Sequence, residues 1–276
     1  MTIKQTIQEQ SLKLKNITHI PAKEVEILIL HLLSKNIIWL HLNYNQEFEQ
    51  QKELEKLVLK RANNYPLEYL IGKASFYGEM FYTKEGVLIP RPETELLVEQ
   101  VSTLLNSLSK PIRVLEIGVG SGIISVMLAL LVKDISIVGV DINDKALELA
   151  AQNAIKHEVT DKISFIKSDL FENVIGDFDM VISNPPYIAN DYLLPLNVKF
   201  EPENALYGGS VGDELLKQII EQTYERKIEY LFCEMGYDQK LSLEKFLKNF
   251  PTKKVEFYKD YAKFDRGFMV TFNYKK

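Results

Sequence analysis

Four consecutive residues, Asn184-Pro185-Pro186-Tyr187, carry the sharpest chemical signal in the chain. They follow an apolar run ending in Val181-Ile182-Ser183 that reads as a strand. Two prolines stiffen the turn and free carbonyls from strand pairing. Asn184 offers an amide oxygen and Pro185 a backbone carbonyl, two acceptors that can be aimed at one –NH₂ group. Tyr187 supplies an aromatic wall for a planar substrate. The nitrogen of an amide or aryl amine is a poor nucleophile because its lone pair is delocalised. Two acceptors can hold it so that the lone pair points at an electrophile, which is catalysis mainly by positioning and electrostatics. Taken alone, the tetrapeptide also reads as a rigid strand-to-loop turn.

Two further features point to a nucleoside ligand. Val114-Leu115-Glu116-Ile117-Gly118-Val119-Gly120-Ser121-Gly122 leads from a strand into an apolar helix. Glycines let the backbone turn sharply and let a ligand approach the main chain, where a helix N-terminus offers free N–H groups. The spacing is G-x-G-x-G. The dinucleotide fingerprint would need a third glycine at position 123, which is Ile123, so a nicotinamide enzyme is disfavoured. The next strand ends in Asp141, placed to accept both hydroxyls of a ribose. A helix-capping role for Asp141 is the alternative, although Asn143 can supply that cap. Asp169, after the third strand, can reach an exocyclic amine of adenine, and reads equally well as a turn aspartate.

These residues need a frame that brings strand ends together. Residues 1 to about 72 read as helical, with apolar stripes over 24–33 and 48–62 and Gly72 as the stop. Residues 74–89 are rich in β formers, punctuated by Gly78 and Gly86, and read as a hairpin joining two domains. Pro90-Arg91-Pro92 forces an extended loop, and Thr94 can cap a helix over 95–108. From 112 onward strands and helices alternate. Strands are expected at 112–117, 136–140, 163–166, 179–183, 229–234, 253–259 and 267–273, and helices near 122–132, 144–156, 212–226 and 238–249. Such alternation implies a mostly parallel sheet covered by helices on both faces. The gap between the last two strands is too short for a parallel crossover, so they should pair antiparallel.

Composition narrows the classes. The chain has 276 residues, 46% hydrophobic and 26% charged, ordinary for a globular protein of one large or two modest domains. The net charge of −5 lacks the basic field of a protein that grips nucleic acid. The single cysteine, Cys233, excludes an intramolecular disulfide and any multi-cysteine zinc site, and its apolar neighbours make it a core residue. No histidine has a ligand partner at fixed spacing, so no metal is expected. The N-terminus lacks the apolar run of a signal peptide, and a reduced cytoplasmic compartment without membrane contact is the expectation.

The tetrapeptide at 184–187, the G-x-G-x-G turn and Asp141 resemble class I S-adenosylmethionine-dependent methyltransferases that act on planar –NH₂ groups. Within that superfamily, Val87-Leu88-Ile89-Pro90-Arg91-Pro92-Glu93-Thr94-Glu95, Asn184-Pro185-Pro186-Tyr187-Ile188 and Glu201-Pro202-Glu203-Asn204-Ala205-Leu206-Tyr207-Gly208-Gly209 resemble signatures of the release-factor glutamine methyltransferases, the PrmC/HemK family. The resemblance covers nearly the whole chain. It implies an α/β, Rossmann-like class I methyltransferase domain over 91–276, with a mostly parallel seven-stranded sheet and an antiparallel last strand. A helical substrate-recognition domain over 1–72 and a β-hairpin linker over 73–90 would precede it. It implies S-adenosyl-L-methionine as cofactor, held by Glu116, Gly118, Val119, Gly120, Ser121, Gly122, Asp141, Asp169, Leu170 and Asn184. Asn184, Pro185, Pro186 and Tyr187 would bind the target, the glutamine of the Gly-Gly-Gln loop of class I peptide-chain release factors. No stable nucleic-acid partner is implied. Two positions depart from the family pattern. Leu170 stands where an aromatic residue is frequent, and Gly208-Gly209-Ser210-Val211-Gly212-Asp213 replaces Gly-Gly-x-Asp-Gly. An rRNA or DNA amino-methyltransferase shares the tetrapeptide and is the competing reading. It predicts a basic surface with exposed aromatics for stacking.

Overall fold

The computed structural model describes residues 1–108 and 110–274, which divide into two compact units. The first comprises Met1–Lys73 together with Leu194–Phe200, and the second Ala74–Leu193 with Glu201–Lys276. The return of Leu194–Phe200 to the helical unit has no counterpart in the sequence patterns. Within that unit the Phe200 ring packs edge-on to Tyr65 at 5.2 Å.

The first unit holds α1 (Ile3–Ser11), α2 (Pro21–Leu33), α3 (Ile37–Leu42), α4 (Gln51–Ala62) and α5 (Leu67–Ile71). Thr2 and Gln5 form a reciprocal capping box at the start of α1, and Pro21 occupies the first turn of α2, where its missing N–H costs nothing. Val25, Leu28 and Ile29 of α2 meet Leu54 and Val58 of α4 in the core of this unit. Glu24 sits at the edge of that core, where Arg61 donates to both its oxygens at 2.6 and 3.1 Å. Gly72, with φ +67, closes the helical run.

A short hairpin follows, β1 (Lys73–Phe76) and β2 (Glu79–Tyr82), turning through Tyr77 and Gly78, both at positive φ. It is shorter than the β formers up to Ile89 suggest. The Ile89 N–H donates to the Glu201 carboxylate, and Pro90 and Pro92 have no N–H to give to a ladder. Residues 83–92 form a loop with a turn in which the Val87 N–H donates to the Lys84 carbonyl at 3.1 Å.

The rest alternates as the sequence indicates. In order come α6 (Thr94–Ser107), β3 (Ile112–Ile117), α7 (Ile123–Leu131), β4 (Ile135–Asp141), α8 (Asp144–Lys156), β5 (Ile163–Lys167) and β6 (Met180–Ser183). The short strands β7 (Ile188–Ala189) and β8 (Tyr207–Gly209) pair with each other. Then follow α9 (Glu214–Glu225), β9 (Tyr230–Glu234), α10 (Lys240–Leu247), β10 (Thr252–Lys259) and β11 (Asp265–Phe272). The seven-stranded sheet has the order β10-β11-β9-β6-β3-β4-β5. Its strands β9, β6, β3, β4 and β5 run parallel, and β11 runs antiparallel to both β9 and β10.

Successive side chains of a strand face opposite sides, and here both sides are apolar. Val114, Met180 and Ile182 face the layer of α6 and α7, while Leu115, Val181 and Leu231 face that of α9 and α10. Helices on both faces explain why the central strands are apolar runs without polar alternation. Glu116 is the buried exception in β3, where Arg113 is exposed. It is fully enclosed, its Oε2 accepts from Ser125 of α7, and its Oε1 has no partner.

Burial raises the Glu116 carboxyl from 4.5 to about 8. Between those values the unfolded chain ionises while the folded chain keeps its proton, so this residue makes folding less favourable as pH rises through that window. Glu116→Gln is neutral at every pH. Its melting temperature should therefore rise relative to the unmodified protein between pH 5 and pH 8, by about 5 °C or more at the upper end, as read by calorimetry. A difference that stays flat across that range would show that Glu116 does not hold its proton in the folded state.

Candidate functional site

The parallel pairing of β3 with β6 sets Ile117 beside Ser183, and the Ser183 hydroxyl donates to the Ile117 carbonyl at 2.7 Å. The Gly-rich turn and the Asn184 turn leave these two strands side by side. This is the crevice at the carboxyl ends of the strands where an open α/β sheet receives ligands.

The turn after β3 is built by β4. Gly118 and Val119 both donate their N–H to the Val140 carbonyl, at 2.9 and 3.0 Å. Gly118 and Gly120 have φ of +72 and +54, and a Cβ on either would meet nothing within 4 Å. The empty space above these two positions is the cradle that a ligand can fill. Gly122, at φ +80, has another purpose: a Cβ there would press on the Cα of Ala150 at 3.0 Å, so it permits the approach of α7 to α8. Asp141 ends β4, its Oδ2 accepting from the Gly120 N–H and its Oδ1 from the Asn143 N–H, both at 2.9 Å. Burial raises its carboxyl and these backbone bonds oppose the rise. The Asn143 side chain caps α8 by accepting from Lys145, which leaves Asp141 free of that duty. Ser168 locks the next loop, accepting from Asn173 N–H and donating to the Leu170 carbonyl, with Leu170 at φ +45.

Together these elements surround a cleft of about 200 Å³. Of the residues singled out in the sequence, Gly118, Gly120, Asp141, Asp169, Leu170, Asn184, Pro185 and Pro186 line it. Glu116, Val119, Ser121 and Gly122 do not. They are packed beneath the turn, where the Ser121 carbonyl accepts from Asn153 of α8. Tyr187 is also off the lining. Its carbonyl accepts from Gln239 at 2.7 Å and its hydroxyl donates to Glu234 at 2.9 Å.

The lining adds Val87, Leu88, Ile142, Ala146, Ala205 and Leu215, apolar walls not assigned from the sequence. The first two belong to a loop fastened at two points. Asn143 donates to the Gly86 carbonyl at 2.8 Å. Glu201 takes the Ile89 N–H at 2.9 Å and the Arg91 guanidinium at 2.5 Å. One buried carboxylate thus joins the 87–92 loop to the 201–209 loop. The latter packs against the turn at 184–187. At Gly208 a Cβ would collide with the Pro186 carbonyl, and at Gly212 with the Tyr187 carbonyl at 2.5 Å. The altered spacing of this segment leaves a defined loop, since Glu214 accepts from the N–H groups of Val211 and Gly212.

Thr94 does not cap α6 as its position suggests. It lies inside the helix, Glu93 precedes it without a side-chain cap bond, and the Thr94 hydroxyl donates to Glu234 at 2.7 Å. The same oxygen accepts from the Asn184 amide nitrogen at 3.0 Å. Glu234 was the other residue hidden from sequence reasoning. Its signal is a carboxylate closing the apolar strand Leu231-Phe232-Cys233. Burial raises its carboxyl, opposed by the Thr94 and Tyr187 hydroxyls and by the Arg266 charge. Cys233 beside it is a buried thiol pushed upward by burial, an inert core residue.

Known proteins agree with this architecture. The sequence profile described as the PrmC N-terminal domain matches residues 5–72, and that of the methyltransferase small domain matches residues 92–194. Among solved structures, the human hMettl16 catalytic domain in complex with MAT2A 3'UTR hairpin 6 superposes with a TM-score of 0.57 at 19% identity, over 68% of this chain and 73% of that one. The human methyltransferase 10 domain containing protein gives 0.51 at 18% identity, over 68% and 86%. Both are likenesses of fold. A release factor glutamine methyltransferase of Fusobacterium nucleatum is 39% identical over 228 residues, which span 80% of this chain and 64% of that protein. One of Buchnera aphidicola is 33% identical over 274 residues, 96% of this chain and 98% of that protein. A match at this identity along nearly the full length of a relative decides the matter: the chain belongs to the release factor glutamine methyltransferase family.

Proposed function

We propose that this chain transfers a methyl group from S-adenosyl-L-methionine to the side-chain amide nitrogen of the glutamine in the Gly-Gly-Gln loop of class I peptide-chain release factors. The observation that carries the reading is Asn184. It stands on the same cleft as Gly118, Gly120 and Asp141, with its amide nitrogen already bound to Thr94 and its oxygen left to accept. The names of the relatives and the net charge of −5 favour a protein substrate over a nucleic acid. We assign the reaction to the cytoplasm. Among the described residues no helix is long and apolar enough to cross a membrane.

The cleft fits the cofactor. The open space over Gly118 and Gly120 suits a chain drawn close to the backbone, Asp141 keeps lone pairs for ribose hydroxyls, and Val87, Ile142 and Leu170 offer apolar walls for a flat base. Leu170 gives that base an aliphatic contact where an aromatic residue would stack. When bound, S-adenosyl-L-methionine supplies an electrophilic methyl group. The protein's own part is to hold the acceptor. Asn184 Oδ1 takes one N–H of the glutamine amide and the Pro185 carbonyl the other, so the nitrogen lone pair is directed into the cleft. No side-chain base is required, because the proton becomes acidic once the nitrogen is alkylated and leaves to water. The helical unit of residues 1–73 is assigned to recognition of the release factor, since one glutamine side chain offers little area for selective binding.

Four outcomes test this. Asn184→Ala should lower the single-turnover methylation rate of release factor by roughly 10²–10³ with much less change in cofactor affinity. An undiminished rate would remove Asn184 from the site. Asp141→Ala should weaken cofactor binding by about 1.5–3 kcal/mol in calorimetry, and unchanged affinity would end the ribose assignment. A chain starting at Ala74 should still bind cofactor and lose most methylation of intact release factor. With labelled cofactor, incorporation into RNA or DNA and none into release factor would favour the nucleic-acid reading instead.

A further inference from the structure

Both oxygens of Glu234 are committed toward the Asn184 turn, through Thr94 and Tyr187. Oε2 accepts from the Thr94 hydroxyl at 2.7 Å and Oε1 from the Tyr187 hydroxyl at 2.9 Å. Thr94 and Glu234 are each only 1% exposed, and Tyr187 is half-buried. The direction of these bonds has a consequence for Asn184. A hydroxyl has one proton, and that of Thr94 is given to the carboxylate. Toward Asn184 the Thr94 oxygen can only accept, so the side of the amide that faces it must be the –NH₂, as the 3.0 Å contact shows. The amide oxygen is then left for the cleft. Were the amide turned over, two lone pairs would face each other at a partly buried contact and the hydrogen bond would be lost.

We propose that Glu234, acting through Thr94, is a positioning residue that sets which end of the Asn184 amide faces the substrate, and that this polarity makes the site select an amide over a carboxylate. The inference rests on the reading of the site as a binder of the glutamine amide. Asn184 Oδ1 and the Pro185 carbonyl form an all-acceptor pair. Glutamine meets them with two N–H donors, whereas glutamate meets them with oxygens and is repelled. Selectivity of this kind comes from a site that leaves the wrong ligand's polar atoms unpaired, and it needs Asn184 held in one orientation. Glu234 also fixes the turn from its other side through Tyr187, whose carbonyl is held by Gln239. The strand end and the segment after it thus clamp the turn without touching the substrate.

The test uses the full chain, intact release factor, and the same release factor with its Gly-Gly-Gln glutamine replaced by glutamate as a competitive inhibitor. Thr94→Val keeps the shape of the side chain and removes the hydroxyl. Glu234→Gln presents a donor in place of an acceptor and frees the Thr94 proton to face Asn184. Both variants should lose about tenfold or more in kcat. Both should also bind the glutamate form better relative to the glutamine form, with the ratio of inhibition constant to KM falling about fivefold or more. Thr94→Ser should recover most of both losses. Calorimetric cofactor affinity reports that each variant is folded, and either variant alone suffices to read the ratio. A merely structural role would weaken both substrates together. The proposal is overturned by an unchanged ratio in the folded variants, or by Thr94→Ser being as impaired as Thr94→Val. Failure of the unmodified protein to methylate release factor overturns the functional reading itself.

Discussion

The cleft exists because β3 and β6 are parallel neighbours in the register that places Ile117 beside Ser183. One residue of slippage would turn every side chain of these strands to the opposite layer. It would also set the Gly-rich turn and the Asn184 turn at different heights. The register is held from both faces, by Val114, Met180 and Ile182 in one apolar layer and by Leu115 and Val181 in the other. The Ser183 hydroxyl ties the two strand ends at the last step before the loops diverge. The polar devices around the cleft are adjustments on this base. Asp141 shapes the Gly-rich turn, Glu201 fastens two loops, and Glu234 supports Asn184 and Tyr187.

Much of this was legible in the chain because it is local. Strand and helix boundaries in the α/β part follow from apolar period and from short turns. The Gly-rich turn, Asp141 and the Asn184 turn each announce themselves within nine residues. What was not legible depends on partners far apart in sequence. Thr94 sits where a cap is expected, and its hydroxyl is instead drawn to a carboxylate 140 positions away. Glu234 looks like the polar end of a strand until Thr94 and Tyr187 are seen to converge on it. The hairpin stops at Tyr82, whose N–H and carbonyl are both taken by the side chain of Asn153, 71 positions on. Leu194–Phe200 carries no pattern that assigns it to the helical unit. The residues of the Gly-rich segment also divide by a criterion that spacing does not contain. Gly118 and Gly120 leave space for a ligand, whereas Gly122 leaves space for a helix.

The buried carboxylates show how differently one side-chain type is used. Glu201 carries a guanidinium and a backbone N–H, so its charge is met. Glu234 is met by two hydroxyls with an arginine charge nearby. Glu116 has one hydroxyl and an unpartnered oxygen, and it keeps its proton instead. Burial sets the same problem for all three, and each meets it with a different number of hydrogen-bond donors.

The order of the sheet leaves β10 with an unpaired edge. Such an edge can template the addition of a foreign strand, a hazard greatest for newly made chains at high concentration. This one carries Lys253, Lys254 and Lys259 on eight residues, and its pairing with β11 is interrupted by irregular register near both ends. An incoming strand would have to lie against charged side chains, each lysine paired with a neighbouring carboxylate, on a rim of irregular register. The hairpin that completes the fold is therefore also its guard against fibril growth and edge-to-edge association, and replacing those lysines with apolar residues would threaten solubility well before it threatened the cleft.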